Sequence, residues 1–551
     1  MKQQWWHDKI FYQIYPKSFY DTNGDGIGDI NGIISKLDYL KDLGIDVIWI
    51  SPMYKSPFID QGYDIANYRE IDPMFGSLED LDRLLAEAKK RDMFILMDLV
   101  VNHCSSEHEW FINPEYKDYF YIESGVDGKA PNNLRSYFGG SAWTRIGETD
   151  EYYLHLFDAS QPDLNWENPK VVAEIYDMVN WWLKRGIAGF RIDAIVNIQK
   201  ELPFKNYAPD RIDGLAHPGK MLANASGLLD KLYDLKRNTF DKFNALAIAE
   251  LFDYDSNQIA SYIGDNGCFD TIFDFETTVI GASVHGWHAN TKPTAEQYKK
   301  AIYNSQRKVA DVGFLCNIIE NHDEPRGATR YLNHTNDYSK KMLATITIML
   351  RGIPFLYQGQ EIGMENTTYN NISELNDIFT IGEYNIALEH GKTEQEAMAM
   401  VNLYSRDHSR TPIPWNSSTN GGFTSGQPWL ALNPNYTEIN VEEQIGDENS
   451  VFNFYKQLIA LRKNPKYKEV LVNGSFVETF EFIENLVAFL RILDNHTILT
   501  LANFSNHRID VPINKQDYEV LINNYESICF NDDIVTLGPY QSLVLYQKTQ
   551  G

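Results

Sequence analysis

Short apolar runs rich in Ile, Val and Phe alternate with amphipathic stretches from the start of the chain to about residue 365. Eight such runs stand out: "KIFYQIYP", "DVIWISP", "MFILMDLV", "GIAGFRID", "ALAIAEL", "TIFDFE", "FLCNIIENHD" and "PFLYQGQE". Each is too short for a typical helix and is bounded by Gly, Pro or charge, which predicts buried parallel strands. Between them, "SLEDLDRLLAEAKKR" sets Leu81, Leu84, Leu85 and Ala88 on one helical face, and "NPKVVAEIYDMVNWWLKRG" does the same with Val172, Ile175, Val179 and Trp182. Ser77 ahead of Asp80 predicts a capped start for the first helix, and Gly186 a stop for the second. Eight strands with helical spacers make an α/β fold of the (β/α)8 TIM barrel type more economical than an open doubly wound sheet.

Two departures from the alternation predict additional domains. Residues 104–168 lie between the third and fourth runs, are rich in Tyr, Asn, Asp and Gly, and are too long for a simple loop. They are expected to form an inserted small subdomain that divides the barrel into 1–103 and 169–469. From 470 to 551, short segments separated by turns, as in "KEVLVNGSFVETF" and "LVAFLRILDNHTILTLANFS", predict a C-terminal all-β sandwich. The stretch 363–450, which contains "SRDHSRTPIPWN", is expected to cover the barrel mouth.

Composition narrows the chemistry. A formal net charge of -27 over 551 residues repels phosphate backbones and anionic membranes, so a small neutral substrate fits best and nucleic acid is disfavoured. The N-terminal residues show no secretory pattern, and no run reaches the roughly 18 apolar residues of a membrane span, so a cytoplasmic location is expected. Cys104, Cys268, Cys316 and Cys529 are scattered without metal spacing and read as reduced and mostly buried.

Active sites of such barrels sit at the C-terminal ends of the strands, so the residues that end each run carry the argument. The third ends with Asp98, Asn102 and His103, the fourth with Arg191 and Asp193, the fifth with Glu250, and the seventh with His322 and Asp323. Any one of these alone reads as a strand-end ion pair or cap; four on one barrel face read as a site. Clustered carboxylates suit glycosidic chemistry, in which one ionised group attacks the anomeric carbon and a protonated one serves the leaving oxygen. Arg191 projects to the same side as Asp193 and is expected to keep it charged, while the apolar approach "ALAIA" is expected to raise Glu250.

These residues and their order resemble glycoside hydrolase family 13, the α-amylase family, and within it the oligo-1,6-glucosidase and α-glucosidase group. The similarity runs through "WWHDKIFYQIYPKSFYDTNGDGIGD", "GYDIANY", "MDLVVNH", "GFRIDAI", "NHDEPR" and "SRDHSRTPIPW" to the terminal β domain. It implies Asp193 as nucleophile, Glu250 as general acid/base and Asp323 as the third carboxylate. It also implies that His103, Arg191 and His322 surround a bound glucose, that Asp60 and Tyr63 close the non-reducing end, and that Phe157, Gln161 and Arg406 line the pocket. The implied activity is a retaining, exo-acting α-glucosidase without catalytic cofactor, acting on a small neutral oligosaccharide as a monomer or weak homo-oligomer.

The loop "DTNGDGIGD" presents oxygen ligands at Asp21, Asn23, Asp25 and Asp29 with the alternation that opens a calcium loop, but an EF-hand would need Glu where Gly32 stands. The resemblance implies a structural Ca²⁺ or Mg²⁺ there, with the Ile27 carbonyl; a metal-free Asx and Gly turn is the alternative. Three positions depart from the family pattern: Ala194 where relatives carry Val or Thr, Glu324 where Gln is common, and "AELFD" around the acid. Small Ala194 leans the expectation toward α-1,4 links without excluding α-1,6. Transglycosylation or sucrose isomerisation, and hydrolysis of trehalose 6-phosphate, are the neighbouring activities. A non-catalytic carbohydrate-binding relative is the reading from another class, and it sits poorly with three intact carboxylates.

Overall fold

A computed structural model of the chain describes residues 3–211, 213–252, 256–531 and 533–548. All eight apolar runs form strands: Phe11–Ile14, Val47–Ile50, Phe94–Val100, Gly189–Asp193, Leu246–Glu250, Thr271–Phe273, Cys316–Asn317 and Ile353–Tyr357. They pair in parallel in the order six, five, four, three, two, one, eight, seven. A parallel bridge between Ile272 and Leu315 joins the sixth strand to the seventh and closes the barrel.

The two-residue period of the strands sorts the core into two layers. Phe11, Val47, Trp49, Leu96, Leu246, Ile248, Phe273, Ile353 and Phe355 fill the barrel interior. Their neighbours Tyr12, Ile48, Ile95, Met97, Phe190, Ile192, Ala247 and Ala249 face the surrounding helices. On the interior rows apolar side chains give way toward the C-terminal ends to Gln13, Asp98, Arg191, Asp193 and Glu250, so the site is the continuation of the core pattern with polar residues. At Gly189 an added Cβ would clash with the Leu246 carbonyl oxygen, so glycine lets the fourth and fifth strands pair closely at their N-terminal ends, opposite the ends that deliver these groups.

Helix Leu78–Lys90 has the capping box of Ser77 and Asp80 and buries Leu81, Leu84 and Ala88, with Leu85 half-buried. Helix Pro169–Arg185 ends on left-handed Gly186 and buries Ile175, Val179 and Trp182. Val172 packs against the core half-buried, while Val171, Met178 and Leu183 are buried as well and widen the stripe.

Between the third and fourth strands, Ile122–Ser124, Trp143–Arg145 and Glu151–Leu154 form a three-stranded antiparallel sheet. The chain that follows the fourth strand folds back onto it. Leu134 bridges Ala216, Arg135 pairs with Asp210 at 2.6 Å, and Met221 joins the core made by Tyr121, Leu134, Trp143 and Leu154.

The C-terminal region packs a five-stranded sheet against a three-stranded one, an all-β sandwich. Leu486 and Ala488 point between the sheets, while Val487 and Phe489 join the barrel's outer core. "KEVLVN" departs from expectation: Lys468–Asn473 is a helix, and the strand begins at Ser475. Val470, Leu471 and Val472 are all buried because the helix sits between Val451–Lys463 and the strand Leu486–Leu493, and three consecutive apolar residues suit either element. Two buried arginines, Arg462 on the helix ahead of this region and Arg491 within it, bind carbonyls at its junction with the barrel. Arg462 donates to Ile348, Leu350 and Gly352, and Arg491 to Met349, Leu471, Val472 and Gly474.

Cys104, Cys268 and Cys316 are buried and free, and Cys529 is free and exposed. Among the described residues no helix is long and apolar enough to cross a membrane.

Candidate active site

A cavity of about 530 Å³ opens at the C-terminal ends of the strands. Asp60, Tyr63, His103, Phe157, Asp193, Glu250, Asp323 and Arg406 line it. Arg191, His322 and Gln161 lie directly behind, each 1 % exposed or less, and bond to the lining groups. The three carboxylates that are far apart in the chain therefore share one pocket.

Arg191 organises one wall. Its Nη1 donates to Asp98 Oδ1 and Asp193 Oδ1, both at 2.9 Å, and its Nη2 contacts Glu250 Oε1 at 2.7 Å. Asp98 also accepts from Trp49 Nε1 and from the Tyr63 hydroxyl. Three carboxylates thus share one cation. Arg191 does favour the charged form of Asp193 and burial does raise Glu250, as expected, but the two are not held apart. Burial, against the pull of Arg191 and helped by the neighbouring carboxylates, pushes both Asp193 and Glu250 up to about 7. Burial pushes Asp98 up to about 6 despite Arg191. Near neutrality the wall holds a proton that Asp193 and Glu250 compete for.

The opposite wall is built around Asp323. Arg406 Nη1 and Arg410 Nη2 donate to its Oδ1 at 3.0 and 2.9 Å, and His322 Nε2 lies 3.3 Å from Oδ2. Burial alone would raise this carboxyl, but His322, Arg406 and Arg410 outweigh it and hold Asp323 well below the usual carboxylate range. Asp377 caps the helix Ile378–Glu389 and accepts from Arg406 Nε at 3.0 Å, which fixes the arginine. Phe138 and Phe379 stack 5.4 Å apart, and both rings lie against the Arg406 guanidinium.

At the deep end, Asp60 accepts from Gln161 Nε2 at 2.9 Å and lies 3.6 Å from Arg406. Burial pushes Asp60 up to about 7 despite Arg406. His103 contacts Gln161 and the Tyr63 carbonyl, each at 3.2 Å, and lies tilted against the Phe157 ring; burial pulls it down to about 4, so it is a neutral ring. Ala194, next to Asp193, adopts φ 40° and donates its N–H to Glu250 Oε2 at 3.3 Å. Glu324 is ion-paired with Arg330, both on the cavity wall. Asp253 of "AELFD" lies outside the described residues.

Sequence reasoning missed Asp377, Arg410 and Phe138. Arg410 had a signal: it stands four residues after Arg406 in "SRDHSR", hence on the same helical face.

The loop Asp21–Asp29 is remote from this cavity, none of its residues lining it. Its side-chain oxygens bind the loop's own backbone: Asp21 accepts from Asn23, Gly24 and Gly26, Asp25 from Ile27, and Asp29 from Thr22 and Gly32. Among the described residues no three His, Cys, Asp or Glu side chains form a metal cluster. The donors are hard oxygens of the kind Ca²⁺ takes, but each Asp21 and Asp29 oxygen already accepts two hydrogen bonds, whereas Asn23 Oδ1 and the two Asp25 oxygens accept one each and have a lone pair to offer an ion.

A closed barrel with an acidic, sugar-sized pocket at its C-terminal face defines a carbohydrate-active enzyme. The chain belongs to the α-amylase family of glycoside hydrolases: the alpha amylase catalytic domain model matches residues 13–474, and the SusG C-terminal domain model matches 486–544. It is 39% identical to an oligo-1,6-glucosidase of Bacillus cereus over 100% of both chains. Among solved structures it is similar to isomaltulose synthase from Klebsiella sp. LX3 (36% identity, TM-score 0.94, 100% of both chains). It is also similar to a Bacillus licheniformis trehalose-6-phosphate hydrolase (36% identity, TM-score 0.92, 99% of this chain and 100% of the other).

Proposed function

We propose that this glycoside hydrolase is a retaining, exo-acting α-glucosidase that frees glucose from the non-reducing end of short α-linked gluco-oligosaccharides. The observation that carries the reading is the attachment of Asp193 and Glu250 to neighbouring nitrogens of one guanidinium. That arrangement suits the roughly 5 to 5.5 Å spacing of retaining enzymes. Asp193 attacks the anomeric carbon, Glu250 gives its proton to the leaving oxygen and later takes one from water, and Asp323 stays ionised and binds sugar hydroxyls. Entry of a glucosyl unit settles the contested proton: expelling water from Glu250 favours its acid form, while Asp193 stays on Arg191 facing the developing positive charge. Asp60, Gln161 and His103 bound the deep end, and a closed end supports exo action.

The names of the relatives support α-1,6 links, and the small Ala194 leaves room for α-1,4 links as well. The similarity to isomaltulose synthase favours a second reading, in which a sugar rather than water intercepts the glucosyl enzyme. Incubation with isomaltose, maltose, trehalose, sucrose and their phosphates, with product analysis, separates these. Glucose from isomaltose or maltose supports hydrolysis, isomerised sucrose supports the second reading, and no turnover of any sugar removes both. We also infer a structural Ca²⁺ or Mg²⁺ at Asp21, Asn23, Asp25, the Ile27 carbonyl and Asp29, supported by the hard-oxygen donor set.

A further inference from the structure

Gln13 continues the interior row of the first strand and meets the sugar pocket from behind. Its amide nitrogen lies 2.8 Å from His322 Nδ1 and 3.1 Å from Ser51 Oγ. On the other edge of the imidazole, Nε2 lies 2.5 Å from the Tyr63 hydroxyl and 3.3 Å from Asp323 Oδ2. The Tyr63 hydroxyl is in turn 2.9 Å from Asp98 Oδ2.

The protons along this chain can be placed by elimination. Ionised Asp98 only accepts, and it already accepts from Trp49 and Arg191, so the phenolic proton of Tyr63 points to Asp98. The short contact between the Tyr63 oxygen and His322 Nε2 then requires a proton from the imidazole. Burial, together with the arginines nearby, pulls His322 down to about 3 against Asp323, so the ring is neutral and has one proton to place. With that proton on Nε2, Nδ1 is a bare acceptor, and the group facing it must be a donor. The amide N–H of Gln13 meets the need; its carbonyl oxygen would set two acceptors against each other.

We propose that Gln13 is a positioning residue that fixes the Nε2–H tautomer of His322, aiming a donor rather than an acceptor at the hydroxyl of Tyr63, which lines the sugar pocket. The order of donors runs from Gln13 through His322 and Tyr63 to Asp98, and from there the carboxylate holds Arg191, the shared partner of Asp193 and Glu250. Only the kinetic consequence rests on the α-glucosidase reading; the tautomer does not.

The test uses full-length protein labelled with ¹⁵N-histidine, with the His322 resonances identified by their loss in His322→Asn. Wild type is expected to show a protonated Nε2 and a bare Nδ1. In Gln13→Glu an acceptor replaces the donor, and a proton is expected on Nδ1. In Gln13→Met, of similar shape and without a donor, the fixed tautomer is expected to give way to a mixture. Both variants are expected to lose roughly 10- to 100-fold in kcat/KM on an aryl α-glucoside, the range seen when a partner that orients a reactive histidine is removed. A wild-type His322 protonated on Nδ1 overturns the proposal whether or not the variants fold, and so does a Gln13→Met protein that keeps the wild-type tautomer and rate. A wild type inactive on every α-glucoside but carrying the expected tautomer would instead sink the α-glucosidase reading and leave this one standing.

Discussion

The wall around Arg191 and the wall around Asp323 use the same side chains in opposite proportions. On the first, Asp98, Asp193 and Glu250 share one guanidinium; on the second, Arg406 and Arg410 converge on Asp323, with Asp377 behind them. Burial disfavours every one of these charges. Where cations are scarce, carboxyls keep a proton near neutrality; where cations are matched to carboxylates, Asp323 stays ionised. Groups of nearly identical chemistry thereby become suited to different tasks, and what separates Asp323 from Asp193 and Glu250 is the count of arginines within reach.

The largest effects test this contrast directly. Asp193→Asn and Glu250→Gln are each expected to lower kcat by about 10⁴-fold or more, as removal of a nucleophile or acid does. Their stability should move the other way. A carboxyl whose folded-state pKa is raised costs stability as pH climbs from the unfolded value of about 4 to about 7, and the full cost is present above that. Both variants are therefore expected to melt ~1–3 °C higher than wild type at pH 8. Asp323→Asn should also lose activity, but it removes a charge that two arginines need, so its melting temperature falls by a similar amount. A fall in all three would dissolve the distinction between the walls.

A smaller effect concerns pH. With Asp193 and Glu250 both pushed up to about 7, kcat/KM should describe a bell around neutrality. Acid protonates the nucleophile and base strips the general acid, each limb falling about tenfold per pH unit. Asp98→Asn removes a charge that raises Asp193, and it should extend the acid limb by about one unit. A flat profile from pH 5 to 9 would mean that the contested proton does not govern turnover.

The smallest expected effect lies outside both walls. Millimolar Ca²⁺ should raise the melting temperature by ~1–3 °C and a chelator should reverse it, since an ion bound only by the folded loop stabilises it by mass action. No shift with either would leave Asp21–Asp29 as a hydrogen-bonded turn.

Much of this was legible because strand parity and barrel closure are local rules with a global result. Once the runs "GFRID" and "ALAIAE" are read as strands, Arg191, Asp193 and Glu250 must point inward at the same end. Asp377 was not legible, since a helix-capping Asp far from every strand end has no pattern tying it to Arg406. Gln13 was hidden differently: a single polar residue in an apolar run reads as an imperfection until the imidazole behind it is seen. "KEVLVN" shows the limit of burial patterns, because a short helix enclosed on several sides hides consecutive residues just as a central strand does.

Arg491, beside Arg462 of the preceding helix, gives the terminal sandwich a bearing on the approach to the eighth barrel strand. Their guanidinium groups answer the carbonyls of Ile348, Met349, Leu350 and Gly352, the peptide units that connect the last barrel helix to Ile353. Shortening the polypeptide before Leu486 would remove Arg491, the donor to Met349 in this hinge. The appended β layer is thus a fastening for the barrel's closing seam, and catalytic core and tail are expected to be lost together on heating rather than in separate steps.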